Sequence, residues 1–469
     1  MGTQNFATAI LAAGKGTRLK SKRAKVLHEI AGKPLVRHVI DAVLKVTPPD
    51  RVFVVTGHQA EQVERAVEAT EVRFVRQTQQ LGTGHAVQCL RESVQSAGDL
   101  LVLSGDAPLI RPETIENLRK FHQAQRAAMT ILTARPENPF GYGRVLRVSP
   151  GNAEVAAIVE QKALATDQQN IGEINSGIYM FRIESLYRHI DALKSNNAHG
   201  EYYLTDMAAI LRAAGERVVA YETADAMEVL GANTIAEMME LDTALRRQTA
   251  RRLMALGVTI QMPETCVIDA DVTVGPDTII EPFVQLLGNT HIGEDCRIRS
   301  YSVIQDSKLG DRVVVRNSSV LDEATVADGA FIGPFAHLRP GSQIGREAHV
   351  GNFVETKNAR VGERSKANHL TYLGDVAIGS GCNVGAGVIT CNYDGVNKHP
   401  TEIGDRVFVG SNATLVAPVA LEDDTYIAAA SCITEAVPSG ALAFGRARQS
   451  IKPGWVKQRR AAQEKKQGG

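Results

Sequence analysis

The stretch TVGPDTIIEPFVQLLGNTHIGEDCRIRSYSVI, Thr273 to Ile304, carries an aliphatic side chain at every sixth position: Val274, Ile280, Leu286, Ile292, Ile298 and Ile304. The same spacing returns at Val326, Ile332, Leu338, Ile344 and Val350, and again at Ile403, Val409, Leu415, Leu421, Ile427 and Ile433. Many of these residues are followed by glycine, as in HIGEDC, FIGPFA, QIGREA and FVGSNA. A six-residue repeat with this mark predicts a parallel β-helix, with one short strand and turn per repeat and the aliphatic side chain stacked inward. The phase breaks in NARVGERSKANHLTYLGD (358–375) and TCNYDGVNKHPTEIG (390–404). Both segments are therefore expected to be inserted, functional excursions from the coil.

Upstream of the repeats the pattern is helical. In NTIAEMMELDTALRRQTARRLMALG, Asn233 to Gly257, Thr234 with Glu237 forms a capping-box pattern, Ile235, Met238, Leu241 and Leu245 form an apolar stripe, and Gly257 ends it. Residues 234–257 read as a linker helix between a domain at 1–233 and a second at 258–469. The same pattern also fits the last helix of the first domain.

The first half alternates short apolar strands (ATAILAA, RVFVVTG, VRFV, DLLVLSGD) with amphipathic stretches such as PLVRHVIDAVLKV and AEQVERAV. That alternation predicts a Rossmann-like α/β domain with a mostly parallel sheet, whose ligands lie beyond the carboxyl ends of the strands. The first such end opens AILAAGKGTRLKSKRAKVL, Ala9 to Leu27. It is not a Walker loop, because Lys15 is followed by Gly16, and it lacks the third glycine of the dinucleotide fingerprint, where Leu19 stands. What remains is a turn able to adopt positive φ, surrounded by Lys15, Arg18, Lys20, Lys22, Arg23 and Lys25. A polyanionic ligand fits it, and a solvated basic loop is the alternative.

Composition narrows the class. The 469 residues are enough for two or more domains, and 52 basic against 52 acidic side chains leave no global field for nucleic acid or an anionic membrane. Six scattered cysteines without CxxC pairs, and a start lacking a signal layout, point to a reducing cytoplasm. No apolar run approaches the roughly 20 residues of a membrane span.

Taken together, LAAGKGTRL, KVLHEIAGKPL, QLGTGHA, GDAPLI, GYGR, EINSGIY and GEYYLTD, followed by RPGS, GNFVETKNA, SKANHLTYLGD, GAGVITCNYDG and VFVGSNATLVAP, closely resemble a bacterial family. That family comprises the bifunctional N-acetylglucosamine-1-phosphate uridylyltransferases and glucosamine-1-phosphate acetyltransferases. The resemblance runs from about Ala7 to Arg446 and implies a left-handed β-helix for the repeats. For the first domain it implies attack of N-acetylglucosamine-1-phosphate on UTP with release of pyrophosphate. Arg18 and Lys25 match phosphate-contacting positions, and Asp106 and Asn233 match Mg²⁺ ligands. The alternative for Asp106 is a turn cap. Uracil recognition falls by the same likeness to Leu11, Ala12, Ala13, Gly14, Gln77, Gly82 and Thr83, and the amino sugar to Gly143, Glu160 and Asn175. Glu160 could instead pair with Lys162, and Ser104 stands where some relatives carry Tyr.

For the second domain the resemblance implies acetyl transfer from acetyl-CoA to glucosamine-1-phosphate, with His369 as general base. Neutral imidazole suits removal of an ammonium proton near neutral pH. Arg339 and Lys357 match sugar-phosphate binders, with Tyr372 and Asn383 beside them. Acetyl-CoA contacts fall on Ala386, Asn392, Tyr393, Ser411, Ala429 and Arg446, where Ala429 could instead simply pack in a narrow turn. The likeness also implies a homotrimer. Three other readings compete: a β-helix that serves only for assembly or regulation, a hexapeptide scaffold that binds sugar phosphates without turnover, with which Asp106, Arg18 and Lys25 conflict, and a zinc site built from His337, His349 and His369. The tail KQRRAAQEKKQGG reads as a solvated segment.

Overall fold

Strands that are apolar on both faces demand cover on both sides, and the first half of the chain supplies it. A computed structural model describes residues 6–197 and 200–467. The chain divides between Gln248 and Thr249 into two units. In the first unit the strands are β1 (Phe6–Ala12), β2 (Val52–Thr56), β3 (Arg73–Arg76), β4 (Asp99–Ser104), β5 (Met129–Ala134), β6 (Arg144–Arg147), β7 (Val155–Val159), β8 (Ile174–Arg182) and β9 (Val218–Glu222). The helices are α1 (Leu35–Val43), α2 (Ala60–Val67), α3 (Thr83–Gln88), α4 (Pro112–Gln125), α5 (Ile183–His189), α6 (Met207–Ala213) and α7 (Ile235–Ala255).

The main sheet runs β9-β5-β8-β4-β1-β2-β3, with the β6–β7 hairpin attached through β8. Strands β1 to β4 are mutually parallel where they pair, and β8 alone runs antiparallel to both β4 and β5. Alternate residues of each strand enter two separate cores. Ile10, Leu101 and Leu103 meet Val36, Val39 and Ile115 from α1 and α4 on one face. Ala9, Leu100 and Val102 meet Leu186 and Leu211 from α5 and α6 on the other. The reversal of β8 matters for function, because it brings the first residues of that strand to the edge where β1 and β4 end.

At α7 the capping box forms with a shift. The Glu237 N–H donates to Thr234 Oγ1 at 3.2 Å, but the Glu237 carboxylate accepts from Asn233 N, one residue before the cap, at 2.8 Å. Met238, Leu241 and Leu245 are buried as expected, whereas Ile235 is exposed, because the first residue of the helix lies outside the stripe that packs. Gly257 takes φ +93° just past the helix end. The division into units falls within α7, between Gln248 and Thr249.

In the second unit the six-residue period becomes three flat faces of 11, 10 and 9 parallel strands. Ile280 pairs with Ile298 and Leu286 with Ile304, a full coil of three repeats apart. These inward side chains are fully buried. The result matches the left-handed parallel β-helix implied for the repeats. Of the two expected excursions only the second holds a loop, residues 392–400 between the strands Ile389–Cys391 and Thr401–Ile403. Residues 358–375 keep coiling, with strands at Arg360–Val361, Lys366–His369 and Tyr372–Gly374. The period is hidden there for two reasons. Thr356 and Ala367 occupy inward positions that the repeat fills with larger aliphatics elsewhere, and Thr356 Oγ1 is satisfied by Ser342 Oγ at 2.8 Å. In addition, Ile344 pairs with Val361 and Val361 with Ile378, each one residue short of a full coil. The shortened corners turn through Asn358 and Asp375 at φ 45° and 47°.

Candidate functional site

Lys25, Asp106 and Asn233 lie far apart in sequence and meet beyond the carboxyl ends of β1 and β4. The Lys25 ammonium pairs with Asp106 Oδ2 and donates to Asn233 Oδ1 at 3.1 Å. Lys25 is placed by a short 3₁₀ turn, Lys25–Leu27, packed against the glycine loop. At Gly16, with φ +62°, a Cβ would stand 2.6 Å from Lys25 Cβ, so only glycine lets the two segments approach. The Ser104 hydroxyl donates to the other Asp106 oxygen. The loop itself is held by its backbone: Gly105 N donates to Leu11 O at 3.0 Å and His58 N to Ala13 O at 3.1 Å. Ala12 and Ala13 are buried, Gly14 is open to solvent, and Arg18 is exposed. Tyr142 lies among these groups. Burial pushes its phenol up, the negative charges of Glu237 and Asp106 push the same way, and a Gly231 backbone hydrogen bond and Arg18 oppose them.

Gln77 is buried, and its Nε2 donates to Gly82 O at 3.0 Å. Thr83 Oγ1 accepts from Leu204 N at 3.0 Å, which ties Gly82–Thr83 to the GEYYLTD segment. At the start of β8, Asn175 N donates to Gly143 O at 2.9 Å and Asn175 Nδ2 donates to Tyr179 OH at 2.9 Å. Glu160 stands beside Gly143, where a Cβ would lie 3.6 Å from its Oε2. Its carboxyl is pushed up by burial and by the charge of Asp206. Burial also raises Asp206 and the fully enclosed Tyr179 phenol. Among the described residues Glu160 makes no ion pair with Lys162.

On the β-helix a second set assembles by register alone. His369, Ala386, Ser411 and Ala429 each precede a positive-φ residue at the same corner: Leu370, Gly387, Asn412 and Ala430. Backbone bonds link these corners coil to coil, Gly387 N to Leu370 O at 3.0 Å, Asn412 N to Ala386 O at 2.7 Å and Ala430 N to Ser411 O at 2.8 Å. One exposed imidazole therefore continues into a column of small side chains. On the ten-strand face the backbone order carries Arg339 and Lys357 on adjacent coils, and the next rung is Gly374. The Tyr372 ring folds over Gly374, where a larger residue would collide with its hydroxyl. Arg339 Nη1 bonds Glu355 at 2.8 Å, and Lys357 Nζ lies 3.8 Å from Asp375.

Asp375 is the hub of this region. Burial opposes its ionisation, but donation from Asn358 and Asn392, with Lys357 and Lys398 nearby, outweighs it and the net shift is downward. Lys398, which the sequence reading passed over, reaches the same place from the 392–400 loop. The Lys357 cation beside it holds its ammonium below the ordinary range. The loop is closed by Asp394, which accepts from Val396 N, Asn397 N and His399 Nε2 and is held down to about 2. Tyr393 OH donates to Gly395 O at 2.6 Å. Asn383 is exposed on the eleven-strand face between Lys366 and Phe408, and Arg446 is exposed beyond the last strand, Leu442–Ala443. The three histidines of the zinc reading do not converge. His337 is on the ten-strand face, while His349 and His369 stand on the eleven-strand face opposite Lys366 and Asn352.

Comparison with known proteins agrees with both halves. Residues 8–169 match the MobA-like NTP transferase domain, residues 271–306 the bacterial transferase hexapeptide (six repeats), and residues 400–435 the hexapeptide repeat of succinyl-transferase. Over 464 residues, 99% of each chain, the protein is 59% identical to the bifunctional protein GlmU of Koribacter versatilis (strain Ellin345). The chain belongs to the bifunctional GlmU family. GlmU proteins of Solibacter usitatus (strain Ellin6076) and Clostridioides difficile (strain 630) are 48% and 45% identical, each covering 97% of this chain and 98% of its own. As a GlmU protein the chain is a bifunctional transferase, with nucleotidyltransferase and acyltransferase activities in one polypeptide. A β-helix used only for assembly is thereby disfavoured. No described helix is long and apolar enough to cross a membrane.

Within the GlmU frame, sequence reasoning missed Lys398, Tyr142 and Asp206. The signal for the last two was present, since GYGR and GEYYLTD stood among the family's motifs. Lys398 had no such signal beyond its place in a segment that broke the repeat.

Proposed function

We propose that this GlmU protein makes UDP-N-acetylglucosamine at two sites built from the residues above. The chain acetylates glucosamine-1-phosphate with acetyl-CoA and transfers uridylyl from UTP to N-acetylglucosamine-1-phosphate. In the first unit a phosphate oxygen of the sugar phosphate attacks the α-phosphorus of UTP, the bond from that phosphorus to the bridging oxygen breaks, and pyrophosphate leaves. Negative charge builds on the phosphoryl oxygens, and Arg18 and Lys25 meet it. The observation that carries this reading is the convergence of Lys25, Asp106 and Asn233 on one point. Two side-chain oxygens sharing one ammonium mark a spot that a small cation can reach. One carboxylate and one amide oxygen, with water and phosphate completing the shell, are an oxygen-only set that suits Mg²⁺. When bound there, Mg²⁺ would neutralise phosphate charge. Gln77, Gly82, Thr83 and the Leu11–Gly14 backbone face the base, and Gly143, Glu160 and Asn175 face the amino sugar.

In the second unit His369 takes the ammonium proton of glucosamine-1-phosphate. The free amine attacks the thioester carbonyl, the C–N bond forms, the C–S bond breaks, and the nitrogen's surplus proton balances the sulfur, so that CoA leaves as its thiol. Arg339, Lys357 and Lys398 balance the sugar phosphate, flanked by Tyr372 and Asn383. The small column Ala386, Ser411 and Ala429 admits the pantetheine arm, with Asn392, Tyr393 and Arg446 along its length. Mg²⁺, a cytoplasmic location and a homotrimer belong to the same reading. Paired assays test it: thiol release from acetyl-CoA with glucosamine-1-phosphate, and pyrophosphate release from UTP with N-acetylglucosamine-1-phosphate. Both are expected, and pyrophosphate release without thiol release would overturn the reading of the β-helix.

A further inference from the structure

Asn233 stands between the nucleotide site and α7, and the bonds on its two sides differ. Its side-chain Oδ1 faces Lys25 Nζ at 3.1 Å, while its backbone N–H donates to Glu237 Oε2 at 2.8 Å. Glu237 is itself fixed, because its own N–H donates to Thr234 Oγ1 at 3.2 Å. In an ordinary capping box the carboxylate turns back to the N–H of the cap residue. Here it reaches one residue further, past Thr234, to the residue whose side chain enters the site. The rest of the segment is confined too. A Cβ on Gly231 would stand 2.9 Å from Asp106 Oδ2, so the chain passes directly against the second oxygen-bearing residue.

We propose that Glu237 is a positioning residue for uridylyl transfer: by holding the Asn233 backbone it fixes Asn233 Oδ1 at the point shared with Asp106. The inference rests on the reading of Asp106 and Asn233 as the Mg²⁺-holding pair. Mg²⁺ tolerates little departure from octahedral geometry, so a ligand whose backbone can swing is a poor one. Partners that orient metal ligands from outside contribute about 10- to 100-fold in metal affinity or activity. Glu237 acts through Asn233 and touches no reacting atom.

The test uses the full-length protein with Mn²⁺ as the probe and UTP present, following protein-bound Mn²⁺ by water-proton relaxation. Glu237→Ala is expected to weaken Mn²⁺ binding about tenfold and to raise by a similar factor the Mg²⁺ needed for half-maximal pyrophosphate release. Glu237→Gln keeps an acceptor oxygen and is expected to recover most of both. The thermal unfolding transition of the same samples, compared with the parent's, reports that the first unit is folded. Metal affinity within about twofold of the parent in Glu237→Ala, or a loss that Glu237→Gln does not recover, overturns the proposal. Asn233→Ala separates the two layers. If it leaves Mn²⁺ binding unchanged, the ligand reading falls and the proposal with it. If it weakens binding while Glu237→Ala does not, only the positioning role falls.

Discussion

Gly16 shows how little room the proposed nucleotide site leaves at the scale of one residue. Its φ of +62° disfavours any side chain, and a Cβ would meet Lys25 Cβ at 2.6 Å, so substitution must move either the loop or Lys25. Because a displacement of about 1 Å at a positioning group costs on the order of a hundredfold in rate, Gly16→Ala is expected to lower uridylyl transfer by that order. Pyrophosphate release checks it, and an unchanged kcat/KM would refute it. Glu160 carries a pH signature. Burial and Asp206 raise its folded pKa above the ordinary value, so the folded state holds the proton longer than the unfolded chain. Stability is therefore lost as pH rises from about 4.3 through the folded pKa. Glu160→Gln does not titrate, so its melting temperature should exceed the parent's by a margin that grows across that window and then levels. A margin independent of pH would contradict the assignment. The match of Glu160 to the sugar position was legible in sequence, but its electrostatic partner Asp206 was not, because only the fold brings GEYYLTD against it.

Elements follow from two simple periods, and they were misread where a side chain broke the pattern without breaking the structure. The coil through 358–375 persists although Thr356 and Ala367 interrupt the aliphatic series, because Thr356 finds a partner in Ser342 and small side chains still fill an inward position. One-residue slips at Asn358 and Asp375 also shift the phase without opening a loop. Inward aliphatics remain the main source of cohesion. Leu321 is fully buried between Ile304 and Leu338 on adjacent rungs. Leu321→Ala is expected to destabilise the second unit by about 2–5 kcal/mol through lost contact and the cavity left behind. Denaturant unfolding followed through loss of acetyl transfer measures it, and a change below about 1 kcal/mol would mean that the coil collapses onto the gap.

At the scale of the whole molecule the proposed function assigns the two chemistries to different residues in different units. His369→Ala is expected to abolish acetyl transfer and leave uridylyl transfer within about twofold, since general-base removal acts only where the proton moves. Loss of both activities in a folded variant would show that the units are not independent. The proposed homotrimer is checked by light scattering, with a monomer active in acetyl transfer as the contrary result. The amino-acid sequence by itself determined the repeat architecture, the α/β half and the family, because period and motif are local properties that survive without knowledge of the fold. Only the tertiary structure decided which distant groups meet: Lys25 on Asp106 and Asn233, Asp206 beside Glu160, and Lys398 against Lys357. Such contacts depend on where a sheet edge, a helix start or a folded-back loop delivers a side chain in space, and no spacing along the chain encodes that.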